Sequence, residues 1–289
     1  MLTSIDHVIL PVRSLAAAAE PFERLGLTLT PRSEHKGAGT ANRAAFVGGE
    51  TNSFYIELLT VHDTAMARAA GDREYLIEAL ARDPALVRVM LGCSDIPAMA
   101  VRGRPHGGGE PYDAYREDGS KICDVVALPP SAGFGAAAIQ YVTPAPQLYA
   151  ARKERGLFDS TFPLKRLDHL AAIAPDIEGT TKTWVDGLGV PVHGEVTTPA
   201  MVIRQLKLGD AIMELLGPSG PESPMAARPP GLVSMCAFEV ESLDTAVAAA
   251  RQRGFTVTDP STGVLPGTRT ATIPPDQLGG LAMQLLEYV

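Results

Sequence analysis

Cysteine is scarce in this chain. Its three cysteines, Cys93, Cys123 and Cys236, are odd in number, far apart and form no CxxC pair. That leaves no material for a disulfide framework or a thiolate zinc site, and a reducing compartment fits best. Clustered cations are also missing. Lys and Arg total 25 against 33 Asp and Glu, for a net charge of −8, and no basic run breaks the pattern. Nucleic acid needs such clusters, so it is not an expected partner. No apolar run approaches the roughly 20 residues that cross a bilayer, so no membrane partner is expected. Residues 1–12 lack the basic start and long apolar stretch of a secretory signal. The expectation is a cytoplasmic protein acting on a small molecule, with a homodimer left open. Hydrophobic residues make up 45% of the 289 residues. That is enough for ordinary cores, and the length suggests two domains at roughly 150 residues each.

What the chain does have is a repeat, which must be read before any single motif. Ile5-Asp6-His7-Val8-Ile9-Leu10 and Leu167-Asp168-His169-Leu170-Ala171-Ala172 are apolar strands, each with one Asp-His pair. Each leads into a helical stretch ending in Leu-Gly, at Leu25-Gly26 and Leu188-Gly189. Each then reaches a strand with one acid among apolar residues, Phe54-Tyr55-Ile56-Glu57-Leu58-Leu59 and Ala211-Ile212-Met213-Glu214-Leu215-Leu216. His and Glu lie 50 residues apart in the first copy and 45 in the second, and the copies are offset by 162. Weaker units fill the gaps, opening at Leu86–Leu91 and Leu232–Phe238 and closing at Ala137–Val142 and Leu281–Leu286. Aligned on opening strands, the four units carry His7, Arg88, His169 and Ser234; on closing strands, Glu57, Gln140, Glu214 and Gln284.

Each unit reads strand, helix, then about three strands. Ser14 is a good N-cap for a helix over Leu15–Leu25, where Pro21 threatens a kink. Asp176 or Glu178 opens the third helix, with Trp184, Val185 and Leu188 facing a sheet. The fourth spans Leu243–Arg253, with Gly254 after it. A partly helical linker, Pro144 to Lys165, divides the halves. Strand alternation puts Tyr55, Glu57 and Leu59 on one face, and Ile56 and Leu58 on the other. An acid buried among apolar residues needs a cation or a metal beside it. His62, His106 and His193 read as exposed loop residues, Gly37 and Gly39 as turn residues, and Met90, Met213 and Met283 as core.

The two Asp-His strands, each matched to a Glu-Leu-Leu strand, together with Gln284-Leu285-Leu286, resemble the vicinal-oxygen-chelate superfamily. Residues His35-Lys36-Gly37-Ala38-Gly39-Thr40-Ala41-Asn42-Arg43 add a likeness to its glyoxalase-like branch. The resemblance implies an α+β fold of four βαβββ modules, paired into two glyoxalase/dioxygenase-like domains at 1–150 and 164–289. It implies a divalent metal (Zn, Fe, Ni, Co or Mn) on His7 and Glu57 or on His169, Glu214 and Gln284. Glu57 and Glu214 would be the catalytic carboxylates, one serving as a general base, with Arg88, His35, Asn42, Ser234 and Tyr55 lining substrate. The implied reaction is that of a lyase or isomerase stabilising an enolate or alkoxide. The alternative is a metal-free binding or resistance protein. Ser234 standing where a second His would be needed disfavours ring cleavage. Neighbouring modules could pair, or the first with the fourth. Arg88 would repel a metal and instead bind an anionic substrate or pair with Glu57, which makes the C-terminal cavity the expected metal site.

Overall fold

A computed structural model of the chain describes residues 1–71, 73–116 and 118–289. The first half runs β1 (Leu2–Pro11), α1 (Leu15–Leu25), β2 (Ser33–His35), β3 (Thr40–Val47) and β4 (Phe54–Val61). Two short helices follow, α2 (Thr64–Ala69) and α3 (Glu74–Leu80). Then come β5 (Arg88–Cys93), α4 (Ile96–Gly103), β6 (Tyr112–Tyr115), β7 (Lys121–Ala127) and β8 (Ala136–Tyr141). Helix α5 (Ala145–Glu154) leads to β9 (Arg166–Ile173) and α6 (Ile177–Lys182), which continues as a π-turn over Thr183–Gly187. The chain ends with β10 (Val192–Thr197), β11 (Val202–Leu208), β12 (Ala211–Gly217), β13 (Gly231–Glu239), α7 (Leu243–Gln252), β14 (Ser261–Thr262), β15 (Thr268–Ile273) and β16 (Ala282–Tyr288).

The four module helices start in the same way. Ser14, Asp95, Asp176 and Ser242 each accept a hydrogen bond from the backbone N–H three residues on, at 3.3, 2.9, 3.0 and 3.3 Å. Each thereby satisfies one orphan donor of the first turn. Pro21 sits inside α1 without ending it, because Leu15, Ala19, Phe22 and Leu25 bury one continuous face. Gly26 then turns the chain at φ +98°, and a Cβ there would meet Thr161 Oγ1 at 2.5 Å.

The strands form two curled eight-stranded sheets, ordered β2-β3-β4-β1-β5-β8-β7-β6 and β10-β11-β12-β9-β13-β16-β15-β14. In each, the opening strand lies parallel to the closing strand of its own module and antiparallel to the opening strand of the next. Neighbouring modules therefore pair, and the crosswise arrangement is excluded.

The helix-facing residues of both sheets merge into one core. Phe54 and Phe238 meet at 5.9 Å between ring centroids, and Phe134 stacks on Trp184 at 5.7 Å. Trp184 Nε1 donates to the Ala132 carbonyl at 3.0 Å across the two halves. The concave faces of the two sheets turn away from this shared core, and each carries a cleft.

Candidate functional site

The larger cleft lies on the N-terminal sheet and encloses about 1410 Å³. Strand alternation builds its floor. His7 and Ile9 of β1 and Tyr55, Glu57 and Leu59 of β4 face the cleft, while Val8, Leu10, Phe54, Ile56 and Leu58 enter the core. His7 is held by its neighbours. Its Nδ1 lies 2.5 Å from Asp6 Oδ1. A carboxylate there accepts a hydrogen bond from Nδ1–H, which favours the tautomer with the lone pair on Nε2. That nitrogen stands 3.7 Å from Glu57 Oε2. Glu57 is buried, and its Oε1 accepts from Asn42 Nδ2 at 2.5 Å and lies 3.9 Å from His35 Nε2. His35 is fixed in turn by Thr40 Oγ1, 2.9 Å from Nδ1.

Two tyrosines complete the arrangement. Tyr141 on β8 donates to Asp6 Oδ1 at 2.9 Å, and its hydroxyl is 3.1 Å from that of Tyr55. Tyr55 stacks on His7 at 4.2 Å, with its hydroxyl 3.4 Å from Nε2. Burial, and after it the nearby acidic charges, holds both phenols well above their usual range, so they stay protonated donors. Cys123 also faces the cleft, and burial pushes its thiol up to about 12, which suppresses the nucleophilic thiolate.

Tyr141 was not singled out in the sequence, and Gln140 was. On β8, Gln140 points to the opposite face. Its amide donates to the Ser94 carbonyl at 2.9 Å and accepts from the Ile96 N–H at 3.1 Å. The closing-strand alignment was thus off for this unit. Met90 pairs with Ala137 as Ile9 pairs with Glu57, so Ala137 answers Glu57. Arg88 does lie where His7 lies in the first module, seven residues before the helix cap. Its guanidinium carbon sits 3.7 Å from the centroid of Tyr75.

The linker was expected only as a divider, yet α5 and the turn after it pack beside this cleft and put Arg152 and Arg155 into its lining. Arg152 stands 4.6 Å over Phe46, and Phe158 packs on Phe46 at 5.6 Å. Leu157 is buried with Ala44 and Phe46.

The C-terminal sheet repeats the device in a smaller cleft of about 230 Å³. His169 Nδ1 is 2.8 Å from Asp168 Oδ1, Tyr288 donates to Asp168 Oδ2 at 2.7 Å, and Gln205 donates to Glu214 Oε1 at 3.1 Å. His169 Nε2 lies 4.0 Å from Glu214 Oε2. Burial alone would lower the His169 pKa. The hydrogen bond to Asp168 and the charges of Glu214 and Asp168 outweigh it and raise the value. Ile212 replaces Tyr55 beside this histidine. His193, expected in a loop, lies on β10 and lines the cleft.

Two expected residues are not brought into this cleft. Gln284 shares the rank of His169, both pairing with Ala237, but it lies two strands away and outside the lining. Ser234 spends its hydroxyl elsewhere: it donates to the Gly280 carbonyl at 2.5 Å and accepts from the Leu86 N–H at 3.1 Å. A register shift in β13 between Leu232 and Cys236 makes Met235, not Ser234, the counterpart of Arg88. Ser234 is therefore a bridge between the two halves rather than part of a substrate wall.

Two family models match this chain. Residues 5–148 match a glyoxalase-like domain, and residues 168–272 match the glyoxalase/bleomycin resistance protein/dioxygenase superfamily. The chain belongs to this vicinal-oxygen-chelate superfamily. Mitochondrial methylmalonyl-CoA epimerase of Bos taurus is 27% identical over 130 residues, covering 42% of this chain and 74% of the relative. The Mus musculus enzyme is 28% identical over 130 residues, covering 42% and 72%. A solved variant of 4-hydroxymandelate synthase from Streptomyces coelicolor aligns with a TM-score of 0.65 at 15% identity, covering 100% of this chain and 93% of that one. These relatives are enzymes, and the last shares the fold across both halves. Within this vicinal-oxygen-chelate frame, each cleft offers a His–Glu donor pair. No group of three or more His, Cys, Asp or Glu side chains able to hold a metal ion occurs among the described residues.

Proposed function

We propose that the protein is an isomerase or lyase of the vicinal-oxygen-chelate superfamily. It moves a proton next to a carbonyl of a small oxygenated molecule in the N-terminal cleft. One observation carries the reading: buried His7 and Glu57, with half-buried Asp6 behind the histidine, on the floor of a cleft of about 1410 Å³. The volume admits a substrate, and a carboxylate beside a tautomer-fixed histidine suits proton transfer. The epimerase relatives support isomerase chemistry.

A divalent metal fits this donor set from one side. Two donors with bonds near 2.1 Å to one ion stand about 3–4 Å apart, and His7 and His35 lie at 3.7 and 3.9 Å from the Glu57 oxygens. His7 and Glu57 would hold it, with His35 beside them. When bound, the metal supplies Lewis acidity to a substrate oxygen. The chain's own groups do the rest. Asp6 and Tyr141 keep His7 oriented. Asn42 donates to Glu57 Oε1, and whichever carboxylate oxygen does not hold the metal takes the proton from carbon. The protonated Tyr55 hydroxyl donates to a substrate oxygen. In the C-terminal cleft, favoured from the sequence, His169 and Glu214 keep the same chemistry but have far less room.

The test is deuterium uptake next to the carbonyl, followed by NMR in D2O over a panel of ketones, hydroxy ketones, oxo acids and thioesters. It is run on protein loaded separately with each candidate metal. Glu57→Gln should abolish uptake while keeping the fold; uptake at the native rate in that variant would sink the proposal. A second reading, a metal-free binding protein, is favoured by the Tyr55 hydroxyl lying 3.4 Å from His7 Nε2. It predicts ligand binding with no uptake and no retained metal by elemental analysis.

A further inference from the structure

We propose that the N-terminal cleft takes substrates carrying a carboxylate, and that Arg88 receives it. The inference deepens the proposed function, resting on it for the reaction but not for the binding. Arg88 is an unspent charge. Its planar face lies on Tyr75, 3.7 Å from guanidinium carbon to ring centroid. Its Nε is buried without a hydrogen-bond partner. A buried, unmade hydrogen bond to a charged donor is costly, and such groups call for a partner. No ion pair involves Arg88 among the described residues, although the cleft wall holds acids.

The strand register says where the missing partner would lie. Ile9 pairs with Glu57 on one side and with Arg88 on the other. Glu57, Ile9 and Arg88 thus form one rank across three strands, and all three side chains line the cleft. The outer two Cα atoms are two strand spacings apart, about 10 Å. A short molecule lying along this rank, its carboxylate on Arg88, presents the carbons next to that carboxylate to Glu57. A guanidinium fork matches a carboxylate at two points, and stacking on Tyr75 holds the fork flat. Ala137, answering Glu57 in the second module, adds no acid to compete. In the C-terminal half the counterpart of Arg88 is Met235, which lies outside the lining of that cleft and carries no charge.

The probe is 2-oxobutanoate, with its neutral methyl ester and inorganic phosphate for comparison, titrated by NMR. Native protein should bind 2-oxobutanoate and show no measurable affinity for the ester. Arg88→Met, which keeps an unbranched chain over Tyr75, should weaken binding about tenfold or more. Arg88→Lys should fall between, because an ammonium keeps the charge and loses the fork. Glu57→Gln should still bind. Binding by Glu57→Gln and native protein without deuterium uptake supports the Arg88 site while sinking the proposed reaction. The site is overturned if native protein fails to bind 2-oxobutanoate, if the ester binds as well, or if phosphate binds more tightly. It is also overturned if Arg88→Met binds like native protein. Should Arg88→Met not fold, an undiminished affinity in Arg88→Lys overturns it equally.

Discussion

A histidine beside an aspartate has only one nitrogen free, and what holds the aspartate decides where that nitrogen points. In both clefts a tyrosine from the partner module does so, Tyr141 on Asp6 and Tyr288 on Asp168. Tyr141→Phe keeps the ring and removes the hydroxyl. Loss of such a supporting bond typically costs about 10- to 100-fold in metal affinity. The variant should therefore bind metal more weakly by that order while losing only about 1 kcal/mol of stability. Metal titration and denaturant unfolding read the two effects separately; native affinity would show that Tyr141 does not position His7. Ser234 should behave in the opposite way. Ser234→Ala leaves the Leu86 N–H and the Gly280 carbonyl without their shared hydroxyl. It should cost about 1–3 kcal/mol of stability and leave ligand and metal binding unchanged. Weaker ligand binding at unaltered stability would return Ser234 to the substrate wall.

Elements were legible where their pattern alternates. On β4, one acid and one tyrosine among aliphatics mark the cleft face, and the structure places Tyr55 and Glu57 there. Strand β8 reads Ala-Ala-Ala-Ile-Gln-Tyr, apolar for four residues, so nothing local says which face is which. The polar residue that stood out, Gln140, belongs to the start of α4, and Tyr141 to the site. On β13 the bulge sets four residues, Leu232 to Cys236, against two on β9, and no turn residue announces it. Aligning the four helix caps would have found both, since Asp95 and Ser242 superpose Tyr141 on Tyr288. The role of α5 was hidden for another reason. None of its residues is buried, so its sequence carries no amphipathic signal, and its anchor lies just beyond it at Leu157. Leu157→Ala should free this strap, at a cost of about 2–4 kcal/mol felt locally. Amide exchange should quicken across 145–158 and stay native in β1 and β4. Unchanged exchange in α5 would mean that Arg152 over Phe46, and Tyr149 packed on Phe158 at 4.9 Å, hold it without Leu157.

At the scale of the whole molecule, the two sheets share one core and turn their clefts apart. The ranges 1–150 and 164–289 stand as our proposal for its two domains, joined by Phe54 on Phe238 and Phe134 on Trp184. Sites separated by a packed core and sharing no partner respond to substitution almost independently. The duplication therefore allows a direct comparison. Both clefts hold Asp, His, Tyr, Glu and an amide in one arrangement, so a cation proposed for one would meet the same kinds of donor in the other. They differ in what surrounds it: Tyr55 and Arg88 line the first, Ile212 and Leu265 the second, with about 1410 Å³ against 230 Å³ of space. Metal and reaction should therefore come apart. His7→Ala and His169→Ala each remove one imidazole, and elemental analysis with the deuterium-uptake assay follows each consequence. His7→Ala should abolish uptake and lower the bound metal. His169→Ala should leave uptake native, whether or not it loses metal of its own, because far less room adjoins that histidine. Uptake lost with His169→Ala and kept with His7→Ala would move the reaction to the C-terminal cleft and leave the larger one a binding pocket.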